Sequence, residues 1–87
     1  MIIIVMYERD NNMFLSEVKL NHDYRIIKLH VEGLIKERLL SLGFTRGAKI
    51  TAIRKGPKNN LTTYIIKGTM LALRYEESEK VEVEAWE

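Results

Sequence analysis

The sequence predicts a single small, mainly β domain: a curled sheet of about five short strands, with one short α-helix inserted after the first of them. Three observations carry that expectation. A chain of 87 residues is the size of one domain and leaves no material for a second core. Apolar residues recur at helical spacing only between Leu34 and Leu42. Elsewhere the apolar runs are short, rich in Ile, Val, Thr and Tyr, and bounded by Gly, Pro or Asn.

Taken in order, Tyr24 to His30 reads as the first strand, alternating imperfectly through Ile26, Ile27 and Leu29. Leu34 to Leu42 then places Ile35, Leu39 and Leu42 at i, i+4 and i+7, one face of a helix. Gly43 suits the left-handed position that ends such a helix, and Phe44 folds back onto its last turn. A helix of about two and a half turns does not stand alone in water, so it must dock on the sheet. Thr45-Arg46-Gly47 is a turn with Gly47 expected at positive φ. Lys49 to Arg54 is the next strand, with Ile50 and Ala52 on one face and Thr51 on the other. Gly56-Pro57-Lys58-Asn59-Asn60 forms a polar loop built on Pro57. Leu61 to Lys67 and Thr69 to Arg74 flank Gly68 so closely that only a tight hairpin fits between them. Lys80 to Ala85 closes the sheet, with Val81, Val83 and Ala85 against Lys80, Glu82 and Glu84.

The composition is 46% hydrophobic and 30% charged with one proline and no cysteine, a globular signature that excludes disulfides and thiolate metal sites. The absence of cysteine fits a reducing compartment. The apolar start, Met1 to Met6, is far shorter than the roughly 20 residues of a membrane helix and has no basic region before it. Neither an anchor nor a signal peptide is expected of it, and no membrane insertion. Residues 1 to 12 read as an extension, either a frayed tail or an added edge strand at Ile2 to Val5. Formal charge is +2, unevenly spread. From residue 76 onward there are six acids and one base, net −5, which leaves thirteen bases and six acids, net +7, on residues 1 to 75. A basic body invites a nucleic-acid reading and an acidic last strand argues against a uniformly positive surface.

The run Glu37-Arg-Leu-Leu-Ser-Leu-Gly-Phe-Thr-Arg-Gly47, an Ile-rich strand, a Gly-Pro loop, a strand ending at Gly68, Leu71-Ala-Leu-Arg74 and the closing Lys80-Val-Glu-Val-Glu84 together resemble the FeoA family, ferrous iron transport protein A. The resemblance covers roughly residues 13 to 85. It implies an SH3-like β-barrel in the bacterial cytoplasm that acts as a small partner of the ferrous iron permease FeoB, with no catalysis, no resident cofactor and, at the family level only, a connection with transition metal ions. Where the family loop commonly continues Pro-x-Gly-Asp-Pro, this chain has Pro57-Lys-Asn-Asn-Leu61, so no role of that Asp carries over.

The residues offer little chemistry of their own. Only Asp10, Asp23, His22 and His30 are available to partner Ser16, Ser41 or Ser78, and Ser41 lies inside the helix, so no catalytic set is expected. No metal ligands are assigned: His22 and Asp23 are neighbours on a strand and point to opposite faces, and Glu76, Glu77 and Glu79 lack a fixed geometry. His30 reads as a strand-end surface residue, with a pH-sensitive contact as its sharper reading. The rival class is a nucleic-acid-binding barrel using Arg25, Lys28, Arg46, Lys49, Arg54, Lys55, Lys58 and Lys67, but only Tyr64 and Tyr75 stand among the strands to stack on bases. No nucleic acid is expected as the main partner. Protein recognition fits the parts better. Leu34, Leu39 and Leu40 span a wider arc than one buried stripe needs, so Leu39 or Leu40 is expected to border an exposed apolar pocket, with Arg38 and Arg74 at its rim. The plainer role for Arg74 is pairing with Glu82 or Glu84 on a neighbouring strand. Barrel edges and the apolar start also leave a homodimer open.

Overall fold

A computed structural model of the chain describes residues 12–86; the extension before Asn12, with the Ile2 to Val5 strand, lies outside them. Six strands form one antiparallel sheet rather than five. They are β1 (Asn12–Phe14), β2 (Asp23–Leu29), β3 (Lys49–Lys55), β4 (Leu61–Ile66), β5 (Thr69–Arg74) and β6 (Val81–Ala85), in spatial order β1-β6-β2-β3-β4-β5. The additional strand is β1, which pairs Met13 with Val83 on β6. Helix α1 (Gly33–Ser41) consequently follows the second strand, and a one-turn helix α2 (Tyr75–Ser78) joins β5 to β6. Among the described residues the sheet curls without closing, because β1 and β5 stand at its two edges.

Two bulges produce the curl. The β2–β6 register shifts between Ile26 and Lys28, and the β3–β4 register between Ala52 and Arg54. An extra residue in one strand bends it and raises its twist. The first bulge explains the imperfect alternation of β2: Ile26 and Leu29 are three apart yet both buried, because Ile27 is the extra residue. Inside the curl pack Ile26, Ile50, Ala52, Tyr64, Ile66, Leu73, Val81 and Val83, with Leu15, Leu39 and Phe44 closing the ends.

Only the last turn of α1 docks. Leu39 is 2% exposed and Leu42 packs partly against the core, but Ile35, expected on the same buried face, is 50% exposed. The turn is held by a full C-terminal cap: Gly43 N–H donates to the Leu40 carbonyl and Phe44 N–H to that of Leu39, both at 3.0 Å. Gly43 reaches φ 104° there, a conformation in which a Cβ is strained. Phe44 thereby folds under the helix and is wholly buried. Gly47 N–H then donates to Ile26 at 2.7 Å, and Ile26 N–H to Ala48 at 2.9 Å, tying the loop after α1 to β2.

The candidate docking groove

A groove of about 530 Å³ opens between α1, the β4–β5 hairpin and α2. Val31 and Ile35 form one apolar wall, Leu61 and Ala72 the other, and Arg38, Arg74 and Lys80 stand around it with Glu76 and Glu77. Each position follows from local folding. Because only the end of α1 is anchored, its earlier turns carry Ile35 and Arg38 outward along one side of the helix, three residues apart. The two-residue turn Lys67-Gly68, with φ of 49° and 77°, fixes a hairpin whose register sets Leu61 opposite Arg74 and Thr63 opposite Ala72. Leu61, Ala72 and Arg74 therefore lie on the outer face while Leu73 points into the core.

The charges are arranged by hydrogen bonds rather than by burial. Arg74 N–H donates to the Glu77 carboxylate at 2.9 Å, which starts α2, and the other Glu77 oxygen stands 3.7 Å from the Arg38 guanidinium. A pair this open to solvent contributes little, so Arg38 stays available to an incoming carboxylate. The Arg74 guanidinium has no ion pair among the described residues: Glu84, one of its expected partners, binds Arg25 at 3.0 Å, and Glu82 lies 2.8 Å from His30. An apolar floor under two arginines suits an aliphatic or aromatic side chain carried on an acidic segment.

Arg38 and Arg74, predicted at a pocket rim from sequence, thus share one groove. Leu39 does not border it. That expectation is corrected: Leu39 fills the core beneath α1, since it is the helical position facing the sheet where the cap anchors the chain. Leu40 is partly exposed but flanks a separate, smaller depression with Lys28, Lys36 and Arg46. Ile35, Leu61 and Ala72 were missed, and the signal lay in the hairpin register, which a two-residue turn after Ile66 fixes from sequence alone. Tyr64, considered for base stacking, is buried, which removes it from any such surface. Burial also pushes its phenol above the ordinary value of 10.0, opposed by hydrogen bonds with Ser78 and Thr62.

Among the described residues no cluster of three His, Cys, Asp or Glu side chains is placed to hold a metal ion, and no helix is long and apolar enough to cross a membrane. His22 Nδ1 lies 3.0 Å from the Leu20 carbonyl, while Asp23 accepts a 2.6 Å bond from Thr51 Oγ1.

The FeoA domain model matches residues 13–85. The chain belongs to the FeoA family. It is 32% identical over 72 residues to a Fe(2+) transport protein A/Fe(2+) transporter FeoB fusion protein of Porphyromonas gingivalis, covering 83% of this chain but only 8% of that much longer protein. The solution structure of iron(II) transport protein A from Clostridium thermocellum superposes with a TM-score of 0.80 at 30% identity, over 84% of this chain and 45% of that one. A FeoA from Stenotrophomonas maltophilia crystallised with zinc, described as a prokaryotic SH3 domain protein, gives a TM-score of 0.73 at 30% identity, over 83% of this chain and 89% of that one. The architecture is thus the SH3-like fold expected from sequence, with its sheet left open.

Proposed function

We propose that this FeoA domain is a cytoplasmic, non-enzymatic accessory of ferrous iron uptake that docks on the cytoplasmic part of a FeoB-type permease and modulates transport by contact. The observation that carries the reading is the groove: Arg38 and Arg74 above Ile35, Leu61 and Ala72 make a receptor for an acidic segment with one apolar anchor. The P. gingivalis relative, in which a FeoA-like part and a FeoB transporter share one chain, supports association of the two. The reading assigns no catalytic step to the groove and takes its charged groups, Arg38, Arg74, Lys80, Glu76 and Glu77, as contact residues.

The experiment is a titration of the full chain against the cytoplasmic domain of the permease from the same host, at low and high salt. Binding that weakens only modestly at high salt and is lost in Ile35→Asp supports the reading, because screening reaches the two arginine contacts but not the apolar anchor. Binding to single-stranded RNA or DNA with a steep salt dependence, and none to the permease domain, overturns it in favour of a nucleic-acid module.

A further inference from the structure

We infer that β5 is the pairing edge for a second copy of this chain, joined antiparallel about Leu71. The turn Lys67-Gly68 makes Ile66 and Thr69 the hydrogen-bonded pair that closes the hairpin. Thr69, Leu71 and Leu73 therefore turn their backbone groups toward β4, a parity continued by Tyr75, whose N–H donates to the Asn60 carbonyl at 3.0 Å. Met70 and Ala72 turn theirs the other way, where β5 has no strand partner among the described residues.

Sheet edges normally carry a device that repels a further strand: a bulge, a proline or an inward charge. β5 has none. Its register with β4 runs unbroken from Arg74 opposite Leu61 to Thr69 opposite Ile66, and Thr69 to Leu73 contains no charge and no proline. The opposite edge, β1, is only three residues long. On β5 the outward face is also apolar, with Met70 63% exposed beside Ile65.

Self-complementarity selects a second copy over a foreign strand. With the two-fold axis at Leu71, Met70 of each copy lies opposite Ala72 of the other, a large side chain against a small one, and both exchange N–H and C=O bonds. The Arg74 N–H, already committed to Glu77, is not needed. The sole charge on the strand, Arg74, falls opposite Gly68 of the other copy, and the two arginines sit six residues apart along the ladder, roughly 20 Å at 3.4 Å per residue. That separation is beyond the screening length of about 8 Å in physiological salt. One six-residue edge buries less than the ~800 Å² per partner of a standard interface, so the dimer is weak and forms with rising concentration. Ala72 also lines the docking groove, so the second copy brings its Met70 to the groove's sheet wall.

The test is sedimentation equilibrium of the full chain up to about 1 mM, a range that reaches dissociation constants of about 1 mM, with amide exchange followed in parallel. The expected result is a monomer–dimer equilibrium in which the Met70 and Ala72 amides become protected as concentration rises. Met70→Lys, which places a charge on the edge, and Ala72→Pro, which removes its donor, should each weaken dimerisation at least tenfold; the lysine variant leaves the backbone of β5 intact if the proline perturbs it. A monomer at every concentration overturns the inference, as does a dimer that survives Met70→Lys. Concentration-independent protection of the Met70 and Ala72 amides assigns the edge to the chain itself and also overturns it, and protection arising only on adding the permease domain assigns it to a foreign strand.

Discussion

The backbone N–H of Phe44 reaches the carbonyl of Leu39 at 3.0 Å, and the two side chains are buried together at one end of the sheet. This pair decides which helical residues are core and which are surface. Leu39→Ala should cost about 2–5 kcal/mol, the transfer term plus a cavity, and Leu39→Asp should unfold the chain. Ile35→Asp, four residues earlier and outside the core, should leave the unfolding free energy in urea within about 0.5 kcal/mol of the parent. Equal losses at the two positions would show that α1 packs along its whole length.

Gly43 offers a second test of the same cap. At φ 104° a Cβ there would lie 3.2 Å from Lys67 Cδ, and the backbone strain alone is worth roughly 1–2 kcal/mol. Gly43→Ala should lower stability by about that amount without altering the far-ultraviolet spectrum. An unchanged melting temperature would mean that the cap relaxes freely.

Tyr64 sets the alkaline limb of stability. Burial raises its phenol above 10.0 in the folded chain, so the folded state holds this proton more tightly than the unfolded one. The stabilisation is complete below pH 10 and is lost as pH climbs through the folded value. Tyr64→Phe keeps the ring and discards the titration. At neutral pH it should cost about 1 kcal/mol through lost hydrogen bonding with Ser78 and Thr62, and that deficit should shrink as denaturation is repeated at rising pH above 10. A constant deficit would show that the phenol ionises equally in both states.

Trp86 is held over two cations, Arg25 at 4.6 Å and Lys49 at 5.6 Å from its ring centroid, while its N–H in the backbone donates to Asp23 at 3.1 Å. Replacing the ring by leucine preserves apolar cover but removes the cation–π attraction. Trp86→Leu should lower stability by about 0.5–1 kcal/mol, and Arg25→Gln made on top of it should cost less than in the parent. Strict additivity in this double-mutant cycle would deny the contact.

The fold was legible because its signals are local. Val81, Val83 and Ala85 alternate cleanly, and Gly43 and Gly68 sit where a helix end and a hairpin demand positive φ. The site was half legible. Arg38 and Arg74, expected beside a pocket, both line the groove, but helical periodicity assigned Ile35 to the core, since the pattern does not reveal how much of a helix has sheet beneath it. Nor does sequence spacing announce a bulge: Ile27 interrupts β2, and the resulting three-residue step from Ile26 to Leu29 breaks the two-residue period of a strand. β1 escaped notice because three residues, Asn12–Phe14, are too few to show any alternation, and only pairing with β6 makes them a strand.

The free end of α1 leaves Leu34 82% exposed, with Ile35 beside it. Any contact that covers both removes apolar area from water at about 25 cal/mol per Å², so the first turn of the helix gains stability from whatever molecule reaches it.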